Sequence, residues 1–581
     1  MAEIARKERD WLPWAIVGII ALAFIGLFLA RPAPPPALDE ATEASGRLLT
    51  EDQQGVRFVH ADLSFDIDPD AQAIAGRTVH RLEATKSLRN FQFDLDPRFD
   101  IAALSVDGVA ISDFERGDGR VSFALPEAVA AGDTFEIAID YSGKPHVARR
   151  APWDGGFVWS KAPTGEPWIA TAVQGEGCDL FWPCYDNPMA EFETVDLHIT
   201  VPEGLSAPSN GVLQGVDRND DGSSTWHWKS KQVNSYNVAL NIGPYEELRG
   251  SYESRYGNTI PLNFWYLKGN KEKAEELFAE WPDVIDFFES QVGPYPFADE
   301  KLAAVETPHL GMEHQTINAY GNRYTKGPEG YDWLFQHELA HEWFGNQVTN
   351  MDWDEMWIHE GFGAYMQPLY LRWRDGEMAY KRAMFNQRPG LINQAPIVSN
   401  SHKVEHEVYE SDKGGPGGDI YAKGSWVLHS LRELIGDEAF LAATRRLVYG
   451  RPDPAPGNFA PRFGTSEEFI RYAEEESGRD LGWFFDVYLF GAALPEVVET
   501  RQGNRLSLAW KVPGSKPFPM PLDITVDGQP MTLDMAGGSV SVMLPDARSR
   551  VVIDPDGKVL RVSKAVDDYQ DWQRGRARPA A

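Results

Sequence analysis

Two side-chain types that bind metal and move protons, histidine and glutamate, fall close together in one stretch of this chain. It reads His337-Glu338-Leu339-Ala340-His341, and after eighteen intervening residues Glu360 lies in Trp357-Ile358-His359-Glu360-Gly361. Side chains at i and i+4 of a helix share a face, one turn apart, so both imidazoles can reach one ion. Zinc accepts imidazole nitrogen and carboxylate oxygen, and a catalytic zinc keeps one position open for water. Glu360 completes a His, His, Glu set for one zinc per chain. Glu338 adjoins the first ligand without needing to bind. It is placed to take a proton from water at the open position, making that water a nucleophile near neutral pH.

The elements needed to position these groups are legible around them. Residues 331–346 are helix-permissive, with no Pro and no Gly before Gly345. Residues 354–374 form a second helical candidate, which carries Glu360 and is broken by Gly361 and Gly363. Residues 345–353 between them are few enough to fold one helix back on the other. A bare His-Glu-x-x-His also occurs on ordinary solvated helices. The paired helices and the short loop favour the metal reading here.

The run His337-Glu-Leu-Ala-His-Glu-Trp-Phe-Gly-Asn346, with Trp357 and Glu360-Gly361-Phe362, resembles the gluzincin aminopeptidases of the aminopeptidase N and leukotriene hydrolase family. The resemblance extends over most of the chain beyond an N-terminal apolar run and its linker. It departs at Glu342, where the family usually has Gln, and at His359, where it usually has Asn. Further roles follow from it. Leu310-Gly311-Met312-Glu313-His314 looks like the family's Gly-x-Met-Glu-Asn exopeptidase motif, with Leu310 and His314 replacing its ends. Glu313 would hold the substrate's free ammonium, and the main chain of Gly311 and Met312 would pair with an extended peptide. The segment from Thr171 to Pro188 looks like a family loop that reads the substrate's N-terminus, with Gln174 at the specificity position. Asp179 in that loop replaces a usually basic residue. Tyr421, in Tyr421-Ala422-Lys423-Gly424, would donate a hydrogen bond to the oxyanion of the tetrahedral intermediate. The glycines at 414–418 let the preceding loop adjust.

A chain of 581 residues is too long for one core, and two to four domains are expected. A formal charge of −32 excludes a basic surface for phosphates, so nucleic acid is not a partner, and it favours cationic peptides. The two cysteines, Cys178 and Cys184, cannot build a disulfide scaffold or close a thiolate zinc site. They are either bonded to each other or both free.

In chain order, residues 1–10 precede an uncharged apolar stretch at 11–30, long enough to span a bilayer core. Basic residues before it place residues 1–10 in the cytoplasm and the body outside, periplasmic or extracellular. A membrane anchor is the reading, and a cleaved signal peptide is the alternative. Residues 31–46 are a Pro-rich spacer. Residues 47–248 alternate and carry Asp-Gly turns at 107, 118 and 221, which predicts an antiparallel β domain; its scattered histidines are structural. Residues 249–493 are mainly helical, with Pro282 kinking or splitting a helix over 270–291. Residues 494–565 alternate again, and 566–581 form a polar tail. The fold class is therefore multidomain α+β: an N-terminal antiparallel β domain, a thermolysin-like mainly helical zinc domain, and a small C-terminal β-sandwich. The large C-terminal helical domain of many family members has no counterpart. The function implied is a zinc aminopeptidase acting on peptides with a free N-terminus. An endopeptidase or epoxide hydrolase on the same zinc, or an inactive peptide-binding receptor, are the alternatives.

Overall fold

Alternating apolar positions turn the first part of the chain into strands. In Val56–Asp68 the side chains of Phe58, Ala61, Leu63, Phe65 and Ile67 are buried, with polar residues between them. The computed structural model describes residues 38, 40–514 and 517–577. Eight strands form one sheet, in the order Val212–Arg218, Ser224–Asn234, Glu191–Val201, Val56–Asp68, Ala73–Ala84, Thr134–Gly143, Phe99–Val106, Val109–Ala110. The sheet is antiparallel except that Val56–Asp68 runs parallel to Glu191–Val201, with His60 opposite Thr194. A parallel pair needs a long crossover. The crossover here carries the strand Pro167–Ala172 and the loop after it. At the Asp107-Gly108 and Asp118-Gly119 turns all four residues have positive φ, as tight hairpin turns require.

The loop leaving Pro167–Ala172 is tied down from several sides. Cys178 and Cys184 are disulfide-bonded. Tyr141 donates its hydroxyl to the Phe181 carbonyl at 2.9 Å, and His80 Nε2 donates to the Pro183 carbonyl at 2.8 Å. Gln174 therefore projects from a fixed segment.

A five-stranded sheet follows, in the order Tyr245–Glu253, Thr259–Leu267, Leu302–Glu306, Asn318–Tyr320, Gly311–Met312. Gly311–Met312 is its edge. The helix expected over 270–291 is two helices, α1 (Lys271–Phe278) and α2 (Trp281–Gln291). Pro282 lies in the first turn of α2, where its missing N–H costs nothing. Next come α3 (Trp333–Ala340), α4 (Trp357–Asp375) and α5 (Ala422–Ile435). The α3 helix starts where the Asp332 carboxylate accepts from Leu334 N and Phe335 N, both at 3.1 Å. It is shorter than the helix-permissive stretch. After His341 the chain turns into the strand Val348–Asn350, which pairs with Arg462–Gly464. Aromatic stacks lock this region: Trp281 on Phe335, Phe288 on Trp343 and Phe344 on Phe362, with ring centroids 4.6, 4.7 and 4.9 Å apart. Two three-stranded sheets follow the helices, with Leu506, Leu508, Leu522 and Ile524 buried among the apolar side chains.

Parts of the two stretches read as a Pro-rich spacer and a polar tail are built into the structure. Residues 40–46 dock on the body: Ser45 donates to Asp186 at 2.9 Å, and its carbonyl accepts from Glu405 N at 2.9 Å. Polar pairing holds them, so no apolar pattern advertised it. The polar tail is helical over Lys564–Ala577, with Asp567 on Arg388 at 3.0 Å.

The expected membrane anchor requires correction. Residues 11–30 lie outside the described residues, and among the described residues no helix is long and apolar enough to cross a membrane. The 19-residue helix α4 carries Glu360, Arg372, Arg374 and Asp375. Length and apolarity told what the stretch at 11–30 would do in lipid, not that it forms a spanning helix. The membrane as partner and the extracytoplasmic placement rested on that helix and fall with it.

Burial holds the His80 imidazole down at about 4, against an ordinary value near 6.5. Between those two values the unfolded chain binds a proton that the folded chain refuses. Stability is therefore lost as pH falls from 6.5 toward 4, by up to about 3 kcal/mol from this group. In His80→Gln the denaturant midpoint should fall less between pH 7 and pH 4.5 than in the parent protein.

Candidate active site

The α3 and α4 helices bring three polar atoms to one point. His337 Nε2 and His341 Nε2 are 3.3 Å apart, and each is 3.5 Å from Glu360 Oε2. A tetrahedral zinc with ligand bonds near 2.0–2.1 Å needs ligand atoms about 3.3–3.4 Å apart, so the triangle fits the ion without rearrangement. Orientation supports the fit. His341 Nδ1 donates to the Phe344 carbonyl at 2.9 Å, which leaves Nε2 as the lone-pair nitrogen. Burial holds His337 down at about 4, which favours its neutral form. His341 also belongs to a second close group with Glu313 and Glu338. The Glu313 carboxylate already accepts from other side chains, which disfavours that set as the metal site.

The glycines expected to break α4 leave it continuous, because each marks a close approach. A Cβ on Gly363 would lie 3.2 Å from His341 Cε1 and 3.4 Å from His337 Cε1. Gly361 and Gly424 face each other, and a Cβ on either would lie 3.0–3.3 Å from the other's Cα. That contact seats α5 on α4 and brings Tyr421 beside Glu360, whose pKa its hydroxyl helps to hold down against burial. Burial and the negative charge of Glu360 push the Tyr421 phenol well up, so it stays a donor.

The remaining sequence-predicted residues line the same cavity of about 710 Å³: Gln174, Gly311, Met312, Glu313, Glu338 and Tyr421. Gln174 Nε2 donates to Glu313 Oε1 at 2.6 Å, and the Tyr236 hydroxyl donates to the same oxygen at 3.4 Å. Gly311 lies against the Glu338 carboxylate, and a Cβ there would collide with it. Burial, then Glu313 and Glu360, push Glu338 well above the usual carboxylate range.

The departures from the family pattern have local explanations. Glu342 is buried and accepts from Thr316 N and Asn318 Nδ2, both at 2.9 Å; burial pushes it up to about 8. His359 Nε2 accepts from Asn350 N at 3.1 Å, holding the loop between α3 and α4. His314 is buried, with neither ring nitrogen hydrogen-bonded among the described residues, and it stands outside the ligand triangle. Asp179 is buried beside Asp186, Asp94 and Asp96, and desolvation raises its pKa.

Sequence reasoning missed Tyr236, Glu405 and Tyr409. Tyr236 reaches Glu313 from a turn of the β region. Glu405 and Tyr409 enter the cavity from a short helical turn at Glu405–Val408 and its flank. Tyr409 brings its hydroxyl to 3.4 Å from that of Tyr421. The one signal present in the sequence was the run of acidic and aromatic residues from Glu405 to Glu410, just upstream of Tyr421.

The His337, His341, Glu360 donor set has the make-up and spacing to hold a metal ion. Residues 294–488 match the peptidase family M1 domain. The chain is 24% identical over 439 residues to leucine aminopeptidase 2 of Vanderwaltozyma polyspora, covering 70% of this chain and 61% of that protein. It is 25% identical over 425 residues to aminopeptidase N of Streptomyces lividans, covering 67% and 46%. An M1 zinc metallopeptidase mutant from Deinococcus radiodurans, bound to a Tyr-Ser-Ala substrate, shares the fold with TM-score 0.63 and 21% identity, over 78% of this chain and 98% of that one. Residues 294–488 thus carry a peptidase family M1 domain, and the chain is similar to the aminopeptidase N-like gluzincins. It spans about half to three-fifths of the length of these curated relatives.

Gly424→Val should force α4 and α5 apart. A loss of about 1–3 kcal/mol, read as a lower urea midpoint, is expected. Weaker zinc retention in equilibrium dialysis should accompany it.

Proposed function

We propose that this protein is a zinc-dependent aminopeptidase that removes residues one at a time from the free N-terminus of peptides. The observation that carries the reading is the pairing of the His337, His341, Glu360 triangle with an amine receptor beside it. The Glu313 carboxylate lies within 4.8 Å of both a Glu338 oxygen and a His341 nitrogen. A buried carboxylate at fixed distance from the metal triangle is what an enzyme needs to measure from a terminal ammonium.

Zinc, one per chain, would be held by His337, His341 and Glu360, and when bound it supplies a Lewis acid and lowers the pKa of water. Glu338 takes the proton of the attacking water and passes it to the leaving amine. Its raised pKa suits a group that must hold that proton between the two steps. Tyr421, kept protonated, donates to the developing oxyanion. Glu313 accepts the substrate ammonium, with the Gln174 carbonyl as a second acceptor. Gly311–Met312, at the sheet edge, offers its backbone to the extended peptide.

Three measurements test this. Aminoacyl-coumarin substrates should be hydrolysed and N-acetylated peptides refused; cleavage of acetylated peptides at equal rates would make the protein an endopeptidase. Glu338→Gln should retain zinc and lose about 100- to 10,000-fold in turnover. Removing zinc with a chelator should abolish hydrolysis, and readdition should restore it.

A further inference from the structure

The cavity holds more negative charge than the proposed reaction uses. Glu338 handles a proton, Glu360 faces the metal, and Glu313 faces the ammonium. Glu176 and Glu405 line the same cavity and have no role in that scheme. Arg150 is the one Arg or Lys among the described lining residues, and it is exposed, with its guanidinium 4.9 Å over the Trp153 ring.

Glu405 is the unusual member. It is 7% exposed, and its backbone is fixed through the bond from its N–H to Ser45. Among the described residues its carboxylate has no hydrogen-bond or ion-pair partner. Burial raises its pKa well above the ordinary range, and Glu176, Glu360 and Glu313 add repulsion. A buried carboxylate costs several kcal/mol unless paired. Glu176, by contrast, accepts from Gly155 N.

The position of Glu405 says what would pair with it. Gly175 immediately follows the amine-site residue Gln174. A Cβ on Gly175 would lie 3.6 Å from Glu405 Oε2, so the missing side chain leaves the way to the carboxylate open. A substrate residue with its ammonium at Glu313 and Gln174 has its own side chain adjacent to this gap. Tyr409, on the same turn as Glu405, offers a flat wall for an aliphatic stem.

We propose that Glu405, supported by Glu176, is the receptor for a cationic side chain on the substrate's first residue, and that the enzyme prefers N-terminal arginine or lysine. This rests on the aminopeptidase reading and deepens it.

The test compares arginine with citrulline, which keeps the shape and loses the charge. The kcat/KM ratio of arginyl- over citrullinyl-coumarin should be about tenfold or more, and it should collapse toward one in Glu405→Gln. Calorimetry with argininamide and citrullinamide on the parent, zinc-loaded protein should show the same preference without any variant. Equal ratios in parent and variant, or equal binding of the two amides, overturn the inference while leaving aminopeptidase activity standing. If no aminoacyl substrate is turned over, the activity reading falls. Binding then still decides: preference for argininamide that is lost in Glu405→Gln supports the cation receptor, and equal binding refutes it.

Discussion

The site depends on how closely two helices can approach a third. Three electron-rich atoms sit 3.3–3.5 Å apart, an arrangement that no isolated helix would adopt. It persists because α4 presents glycine twice, once to the imidazoles of α3 and once to Gly424 of α5. The aromatic stacks behind these contacts supply the apolar burial that holds the helices against that repulsion. The ligand geometry is a packing result first and a chemical one second.

The cavity is organised by differences among similar groups. Glu313, Glu338, Glu360 and Glu405 are all buried carboxyls raised mainly by desolvation. Their partners separate them. Glu313 accepts from an amide and a phenol, Glu360 faces two imidazoles, and Glu338 lies against the bare backbone of Gly311. The first kind of surrounding suits a group that grips an ammonium, and the second a group that grips a cation of higher charge. The third suits one that holds a mobile proton.

Much of this was legible in the sequence, and the reason is locality. The i, i+4 histidines and the short loop to Glu360 are short-range facts, and so is the split at Pro282. The short motifs around Gly311 and Tyr421 gave the remaining lining groups through their resemblance to a family. What could not be read was long-range. The parallel pairing of Val56–Asp68 with Glu191–Val201 joins strands more than a hundred residues apart, and nothing in either strand encodes it. The approach of Tyr236 to Glu313 and the entry of Glu405 depend on that tertiary arrangement. Gly361 and Gly363 were misleading because a helix-weakening residue and a helix-contact residue look alike in one dimension. The apolar stretch at 11–30 lies outside the described residues, and no described helix is long and apolar enough to cross a membrane.

The seven residues from Glu40 to Gly46 bear on how this protein should be handled. They hold the backbone of Glu405 through Ser45, cap Asp186 through the same residue's hydroxyl, and close over the indole of Trp353 with Gly46. The front of the folded body is thus a clasp on the wall of its own reaction chamber. An expression boundary drawn at the first β-strand would look conservative on a topology diagram and would unfasten the chamber.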